Sequence, residues 1–328
     1  MSGRCLIIQP IHDDGLAVLR AAGIEPVTAA APDMLSVARE IRDCDAVITR
    51  NAGLDRRAMD AAPRLRVIGN HGVGLDPVDL DHARRLGILV VNTPHANAIG
   101  VAEHAVALVL GLAKRLGDGD RATRDGDFAF KYRVRLVELH GLTLGIVGFG
   151  VIGQRTAEIL VRGFGMALLV LDPHMSEASL AVLAALGGRR TTSLDALLAE
   201  SAVVSLHVPL VDDTRGMIGA RELARMQPGA ILVNTARGPL IDETALIAAI
   251  RSGHLGGVGL DVYASESMPP DYPLLALERV LLTPHVAGSA EGALRRTARE
   301  VAEQVAQVLR GERPEHLVDA SVWEVRRR

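Results

Sequence analysis

The sequence predicts an α/β protein with two doubly wound parallel sheets. Short apolar runs that suit buried strands alternate with stretches that suit helices along most of the chain. This alternation is typical of parallel sheets that are covered by helices on both faces. The 328 residues are 48% hydrophobic but only 2% aromatic, so the length and composition allow two domains, each with an aliphatic core.

The first half of the chain predicts five strands with helices between them. The strands are expected at 5–9, 24–28, 45–49, 66–69 and 88–91, and the helices at 12–22, 32–42, 54–61 and 77–86. Pro32 is expected to begin the second helix, and Asp76 to cap the fourth with Pro77 at its first position. This half lacks a G-x-G-x-x-G sequence.

The second half predicts six more strands. They are expected at 143–148, 168–172, 203–207, 230–234, 257–261 and 280–283. A buried helix at 98–114 and a loop to residue 140 precede them, and a helix at 290–310 follows. Six strands with intervening helices fit a dinucleotide-binding, or Rossmann, domain.

The first of these six strands runs into a glycine turn with the sequence LGIVGFGVIG. A strand, Gly148-x-Gly150-x-x-Gly153 and a helix follow in the order that a dinucleotide pyrophosphate requires. One glycine makes the turn, the second admits the phosphates, and the third lets the helix pack on the strand. Val151 and Ile152 open the helix, whose amides and dipole attract phosphate.

An acidic residue ends the next strand. Asp172 lies about 20 residues after Gly153, where a carboxylate can accept hydrogen bonds from the adenosine ribose and repel a 2′-phosphate. This favours NAD over NADP. Arg155 and Arg162 on the intervening helix leave that preference open, and Asp172 could instead be a solvated strand end.

Three polar side chains follow later strands. Arg237, Glu266 and His285 each come just after an apolar run, and the carboxyl ends of parallel strands form the ligand crevice of an open sheet. Arginine can bind a carboxylate through two parallel hydrogen bonds, and histidine can transfer a proton near neutral pH. A glutamate beside the histidine would raise the pKa of its imidazole. From spacing alone, each could equally be a surface loop residue.

The charge and cysteine content exclude several classes of protein. A net charge of −3 argues against a nucleic-acid or anionic-membrane partner. Cys5 and Cys44 are the two cysteines, and their spacing suggests no metal site. The N-terminal apolar run is too short for a signal peptide, and no run has transmembrane length. A cytoplasmic protein is therefore expected.

Seven motifs, taken in order, resemble one enzyme family. They are HGVGLDPVDL, VVNTPHANAIGVAEHAVAL, LGIVGFGVIG, LHVPLVDDTRGMI, VNTARGPLIDETAL, GLDVYASESMP and TPHVAG. Nearly the whole chain thus resembles the D-isomer-specific 2-hydroxyacid dehydrogenases, which include phosphoglycerate, glycerate, D-lactate and formate dehydrogenases. The resemblance implies an NAD-binding domain at 98–286, inserted into a flavodoxin-like substrate-binding domain formed by 1–97 and 287–328.

The resemblance also implies a reaction and roles for individual residues. The reaction is hydride transfer between NAD and a D-2-hydroxy acid or its 2-oxo acid, with Arg237 binding the carboxylate, His285 as acid/base and Glu266 as its partner. The cofactor-binding residues would be Gly148, Gly150, Val151, Ile152, Gly153, Asp172, His207, Pro209, Thr214, Thr235, Ala236 and Asp261. The substrate-binding residues would be Arg50, His71, Val73 and Gly74. A homodimer formed through the cofactor domain is expected.

Several positions bear on the choice of substrate. Asn70 stands where phosphoglycerate-type members often carry a basic residue, which weakens that assignment. Glu266 stands where formate dehydrogenases have glutamine, which argues against formate, and Ser267 replaces a common proline. His71 could line a pocket for a polar or anionic side group. His104 is interpreted as a helix histidine whose hydrogen bonds are satisfied.

Two other functions remain as alternatives. Phosphite oxidation can use the same set of arginine, glutamate and histidine. An NAD-sensing corepressor would keep the fold but bind peptides, although the sequence indicates neither a peptide groove nor a disordered regulatory tail. Turnover of phosphite with NAD would reveal the first, and NADH-dependent binding of a partner without turnover would reveal the second.

Overall fold

The computed structural model describes residues 3–265 and 268–327. The chain divides into two compact units. Unit 1 comprises Met1–Ala98 and Gly288–Arg328, and unit 2 comprises Ile99–Ala287. Of the residues predicted to act in the site, Glu266 lies outside the described residues.

Unit 1 is a parallel sheet with helices on both faces. Numbered in chain order over both units, its strands are β1 (Gly3–Ile7), β2 (Ile24–Thr28), β3 (Ala46–Thr49), β4 (Val67–Asn70) and β5 (Leu89–Val91). Its helices are α1 (Asp13–Ala21), α2 (Met34–Glu40), α3 (Arg56–Asp60), α4 (Leu80–Arg85), α13 (Glu291–Arg310) and α14 (Val322–Val325), with a 3-10 turn at Ile41–Asp43. The strand order is β2-β1-β3-β4-β5, and the pairs are parallel.

The core of unit 1 follows from the two-residue period of its strands. Alternate residues face opposite sides of the sheet, so each strand contributes to two apolar clusters. One cluster joins the strands to α2, α3 and α4 and includes Leu6, Val37, Val47, Ala58, Ile68 and Ala83. The other joins them to α1 and α13 and includes Ile7, Leu19, Ile48, Leu89, Val301 and Val305.

Unit 2 is a second and larger parallel sheet. Its strands are β6 (Thr143–Val147), β7 (Ala167–Leu171), β8 (Arg189–Thr191), β9 (Val203–Leu206), β10 (Ile231–Asn234), β11 (Gly257–Leu260) and β12 (Val280–Leu282). Its helices are α5 (Ala98–Ala113), α6 (Leu116–Arg124), α7 (Phe130–Arg133), α8 (Val151–Phe164), α9 (Glu177–Ala185), α10 (Leu194–Glu200), α11 (Ala220–Arg225) and α12 (Glu243–Arg251). The first residue of α5, Ala98, is also the last residue of the first segment of unit 1. Two 3-10 turns cover Gly238–Leu240 and Pro273–Ala276.

The winding of unit 2 reverses beside its first strand. The order is β12-β11-β10-β9-β6-β7-β8, and the pairs are parallel. The chain therefore winds outward from β6 in both directions, and the loops after β6 and β9 diverge at the carboxyl edge. Such a switch point is where doubly wound sheets bind ligands.

Glycines in β11 let helix α5 pack closely on the unit 2 sheet. A Cβ on Gly257 would lie 3.0 Å from the side chain of Leu112, and one on Gly259 would lie 3.0 Å from that of Leu108. The small residues of β11 thus make room for the aliphatic side chains of α5. This packing fixes the helix that carries His104.

The predicted fold class is confirmed, while four local predictions are wrong. The helix after Pro32 begins at Met34, because Asp33 caps it. Asp76 and Pro77 do not start a helix, since Asp79 caps α4 through the amide of His82. The expected loop before residue 140 contains α6 and α7. The edge strand β8 has no counterpart among the predicted strands, because two of its three residues, Arg189 and Arg190, are exposed and charged.

The described helices give no sign of a membrane span. Within residues 3–265 and 268–327, no helix combines the length and the apolar character that crossing a bilayer requires.

Candidate active site

The three glycines of the turn after β6 differ in the space that surrounds them. Gly148 has a φ of +91°, and a Cβ there would lie 2.6 Å from the carbonyl oxygen of His207. A Cβ on Gly153 would lie 2.2 Å from the carbonyl oxygen of Gly148. A Cβ on Gly150, in contrast, would meet no described atom within 4 Å. The first and third glycines are therefore required by the packing of the turn itself, whereas the second leaves open space in front of the backbone.

The open space at Gly150 fits a dinucleotide pyrophosphate. Gly150 is the N-cap of α8 and has no side chain to bond the first amides of the helix. Val151 and Ile152 form the first two positions of this 14-residue helix, where amides lack partners within the helix and the dipole is positive. Open space, free amides and a positive helix end together suit an anionic group at this turn.

Asp172 lies directly after β7 and is tied to the glycine turn. Its Oδ2 accepts a hydrogen bond from the amide of Phe149 over 2.7 Å, and its Oδ1 accepts one from the amide of His174 over 2.8 Å. Arg190 donates to the main-chain carbonyl of Asp172 over 3.0 Å. The carboxylate is thus held beside the turn in which the sequence predicts the cofactor.

The loop after β9 forms the other side of the switch point. His207 Nε2 lies 2.9 Å from Ser205 Oγ, and burial lowers the pKa of His207 to about 4, so its imidazole is neutral at physiological pH. Further along, Thr214 Oγ1 donates to the carbonyl of Pro209 over 2.7 Å and accepts from the amide of Val211 over 2.9 Å. Thr214 therefore shapes the loop that contains Pro209.

A buried asparagine holds the turn after β10. The side chain of Asn234 accepts from the amide of Ala236 over 3.0 Å and donates to the carbonyl of Arg237 over 2.8 Å. Arg237 Nη1 donates to the carbonyl of Ala236 over 2.7 Å. Thr235 Oγ1 is buried, and no partner for it exists among the described residues. An orphaned buried hydroxyl in this turn fits a polar ligand that completes its hydrogen bonding.

A close contact of two backbones joins this turn to the one after β11. A Cβ on Gly238 would lie 2.0 Å from the carbonyl carbon and oxygen of Tyr263. Only glycine leaves room for this approach. The residue directly after Arg237 is therefore locked against the loop that follows Asp261.

Asp261 organises the loop that carries His285. The Asp261 side chain is fully buried. Its Oδ1 accepts from Thr283 Oγ1 over 2.6 Å and from the amide of Val286 over 2.9 Å, while Oδ2 accepts from the amide of Ala287 over 2.8 Å. His285 lies between these contacts with a φ of +53°. The loop thus holds a histidine in a left-handed conformation that non-glycine residues seldom adopt.

The sheet register places Arg237 and His285 at equivalent positions. Asn234 of β10 pairs with Leu260 of β11, which pairs with Leu282 of β12. Arg237 and His285 each follow the last of these paired residues by three positions, on the two strands that flank β11. The structure therefore brings both to the carboxyl edge of the unit 2 sheet, with Asp261 between them.

In unit 1, two asparagine side chains donate hydrogen bonds to the carbonyls of the loop after β4, and this arrangement leaves amides of the loop pointing outward. Asn70 Nδ2 donates to the carbonyls of Gly72 and Gly74 over 3.1 and 2.8 Å, and Asn92 Nδ2 donates to that of Val73 over 3.2 Å. In a trans peptide the carbonyl and the next amide point in opposite directions. The amides of Val73 and Gly74 therefore point away from the two asparagines, as an anion-binding loop requires.

Arg50 and His71 follow the neighbouring strands β3 and β4 of unit 1. Arg50 Nη1 donates to the carbonyl of Pro10 over 3.0 Å, and burial lowers its pKa. The amide of His71 donates to the carbonyl of Thr49 over 2.8 Å. Burial, and next the charge of Arg50, lower the pKa of His71 to about 4. The pair thus offers one cation and one neutral imidazole.

Sequence reasoning missed the residues that brace these loops. Asn70 and Asn234 hold their neighbours through buried side chains, and the half-buried Thr283 does so through its hydroxyl. A polar residue at the end of an apolar strand is the available signal, but at Asn70 the sequence draws attention only to the lack of charge. The contact partner of each brace depends on the fold and not on spacing.

The parallel sheet of unit 2, its switch point and its glycine turn are those of a dinucleotide-binding α/β protein. The sequence model described as "D-isomer specific 2-hydroxyacid dehydrogenase, NAD binding domain" matches residues 106–287. A glyoxylate reductase of Korarchaeum cryptofilum is 39% identical over 301 residues, which cover 90% of this chain and 89% of that protein. The chain therefore belongs to the D-isomer specific 2-hydroxyacid dehydrogenase family.

Two further relatives show the range of this family. A D-3-phosphoglycerate dehydrogenase of Archaeoglobus fulgidus is 34% identical over 309 residues, which cover 94% of this chain but only 58% of that protein. The crystal structure of an NADPH-dependent glyoxylate/hydroxypyruvate reductase from Sinorhizobium meliloti, in complex with NADP and malonate, superposes with a TM-score of 0.86 at 28% identity and covers 100% of this chain and 99% of that one. The chain is an NAD(P)-dependent D-2-hydroxyacid dehydrogenase.

Proposed function

We propose that this protein interconverts a D-2-hydroxy acid and its 2-oxo acid by hydride transfer with NAD. The observation that carries the proposal is the pairing of Arg237 and His285 at equivalent positions beyond two strands that flank Asp261. A cation for a carboxylate and an imidazole for a proton then lie on the same sheet edge as the glycine turn. Glu266 is proposed as the partner of His285.

The chain's own residues handle the carboxylate and the proton. Bound nicotinamide supplies or accepts the hydride. Arg237 binds the carboxylate and stabilises the charge that grows on the 2-oxygen. His285 takes the hydroxyl proton when the hydroxy acid is oxidised, and as imidazolium it returns a proton when the oxo acid is reduced. Glu266 stabilises the imidazolium form.

The cofactor is proposed to lie along the carboxyl edge of the unit 2 sheet. The glycine turn would bind the pyrophosphate, and Asp172 the adenosine ribose, which favours NAD. The proposed contacts at the adenosine side are His207, Pro209 and Thr214. Those at the nicotinamide end are Thr235, Ala236 and Asp261. The buried and unpartnered hydroxyl of Thr235 supports a polar group of the ligand at that end.

Unit 1 is proposed to contribute substrate-binding residues. The outward-pointing amides of Val73 and Gly74 suit a carboxylate oxygen. Arg50 and His71, on the adjacent strands, suit a polar or anionic side group of the substrate. The proposal is supported by the carbonyls that Asn70 holds, and by the cationic Arg50 and the neutral imidazole of His71.

A cytoplasmic homodimer is proposed from the surface and the cysteines. Leu116, Phe128, Tyr132 and Leu136 are 60, 70, 81 and 55% exposed in unit 2. Large apolar side chains at such exposure within one segment are typical of an association surface. Both cysteines are free and buried, as is usual in a reducing compartment.

An NADH-oxidation panel tests the proposal. The panel contains glyoxylate, hydroxypyruvate, phosphohydroxypyruvate, pyruvate, oxaloacetate and bulkier 2-oxo acids, and phosphite with NAD is assayed in parallel. Turnover of at least one 2-oxo acid to the D-hydroxy acid is expected. Turnover of phosphite alone, or NADH binding without turnover of any oxo acid, would contradict the proposal.

A further inference from the structure

His104 in helix α5 reaches the loop that carries the proposed acid/base. Its Nε2 lies 2.9 Å from Thr283 Oγ1 and 3.6 Å from Asp261 Oδ1. All three residues belong to unit 2. A histidine on a helix that packs against β11 is therefore connected to the two residues that shape the His285 loop.

His104, Thr283 and Asp261 form a chain of hydrogen bonds, and what each group can donate fixes the direction of each bond. A carboxylate can only accept, so the single hydroxyl proton of Thr283 is used in the 2.6 Å bond to Asp261. Thr283 Oγ1 must then accept from His104, whose Nε2 carries a proton. The order is His104 to Thr283 to Asp261, and every donor has one acceptor.

The last residues of this hydrogen-bond chain, Thr283 and Asp261, fix the backbone on both sides of His285. Asp261 accepts from the amides of Val286 and Ala287. The carbonyl of Thr283 accepts from the amide of His285 over 3.0 Å and from the hydroxyl of Tyr263 over 2.8 Å. These bonds hold the left-handed φ of +53° at His285, a conformation that persists only when its surroundings determine it.

We infer that His104 is a positioning residue for hydride transfer, acting through Thr283 and Asp261 on the His285 loop. This inference rests on the proposed role of His285 as acid/base. The Nε2–H of His104 donates to one lone pair of Thr283 Oγ1 and leaves the threonine proton directed at Asp261. Without that donor, the Thr283 hydroxyl can rotate, and Asp261 loses the contact that keeps its Oδ1 between Thr283 and Val286.

Variants of His104 with and without a donor separate positioning from packing. His104→Leu removes the N–H, and His104→Gln keeps an amide donor of similar reach. Since small displacements of a reacting group cost up to about 100-fold in rate, the turnover number for oxo acid reduction should fall roughly 10- to 100-fold in His104→Leu. It should largely recover in His104→Gln. KM for NADH and the melting temperature should stay near those of His140→Leu, a matched change at an exposed histidine of unit 2.

A double-mutant cycle with Thr283 identifies the route. Thr283→Val should reproduce the loss of turnover, Thr283→Ser should restore it, and adding His104→Leu to Thr283→Val should cause little further loss. Equal turnover in His104→Leu and the parent enzyme, failure of His104→Gln to recover, or fully multiplicative losses would overturn the inference. His285→Ala is assayed beside them, because turnover retained in that variant would instead refute the proposed function.

Discussion

The amide of Phe149 donates a hydrogen bond to Oδ2 of Asp172 over 2.7 Å. Phe149 is the residue between the first two glycines of the turn, and Asp172 directly follows the neighbouring strand β7. The carboxylate proposed to bind the adenosine ribose therefore also anchors the turn proposed to bind the pyrophosphate. Its two functions can be separated by substitution, because an asparagine can still accept the amide hydrogen.

Substitution of Asp172 tests the preference for NAD. Asp172→Asn removes the charge and keeps an acceptor for Phe149, so kcat/KM for NADPH should rise relative to NADH by roughly 10-fold or more. Asp172→Ala also loses the anchor and should weaken both cofactors. Steady-state rates with each cofactor measure the ratio. An unchanged ratio in Asp172→Asn would exclude Asp172 as the discriminating group.

Gly150 and Gly153 should respond differently to substitution by alanine. Gly153→Ala places a Cβ 2.2 Å from a carbonyl oxygen and should lower the free energy of unfolding by about 1–3 kcal/mol. Gly150→Ala meets open space, so stability should change by less than about 1 kcal/mol while NADH affinity falls. Urea unfolding and fluorescence titration with NADH give the two quantities. Unaltered NADH affinity in a folded Gly150→Ala variant would argue against a pyrophosphate at this position.

Asn70 should affect the substrate and not the cofactor. Asn70→Asp cannot donate to the carbonyls of Gly72 and Gly74, so the amides of the loop lose their orientation. KM for the oxo acid should rise roughly 10-fold or more, since two hydrogen bonds are lost, with NADH affinity unchanged. Gln227→Glu is the control, since it removes a similar amide-to-carbonyl bond in unit 2. An equal rise of KM in both variants would rule out a specific role for Asn70.

The partly buried His207 should make stability depend on pH. An unfolded histidine gains a proton below about pH 6.5, whereas folded His207 has a pKa of about 4. Between these values the unfolded state binds more protons, so stability falls as pH falls. His207 should contribute about 2 kcal/mol to the loss at pH 5, and His207→Gln should remove that contribution. Urea unfolding at pH 7 and pH 5 measures the difference, and an equal loss in the variant would contradict the assignment.

The elements of this fold that carry local signals were predictable from the sequence. The strand at 24–28 and the start of α8 at Val151 are found where the sequence predicts them, because apolar runs and a glycine turn specify them locally. The choice between Asp76 and Asp79 as a cap was not predictable in this way. Both acids precede the same helix. The amide of Leu54 donates a hydrogen bond to the carbonyl of Pro77, and this contact favours the later acid, Asp79, as the cap.

The reactive groups of the candidate site were predictable from the sequence, but the residues that hold them in place were not. Arg237 and His285 follow strand ends that the sequence shows, so their shared edge follows from the parallel sheet. His104 and Thr283 are 179 positions apart, and only the packing of α5 on the sheet brings them together. No local pattern contains a contact of that kind, so the sequence predicts no more than an ordinary helix histidine at His104.

The decisive measurement is turnover by His285→Ala and Arg237→Ala, followed as NADH oxidation with the best 2-oxo acid of the panel. Both variants should bind NADH as the parent does, because neither residue belongs to the proposed pyrophosphate or adenosine contacts. Their kcat/KM should fall by roughly 100- to 10,000-fold, the range for loss of a general acid or a charge-stabilising group. Turnover within about tenfold of the parent in either folded variant would show that the reaction does not depend on Arg237 and His285 as proposed.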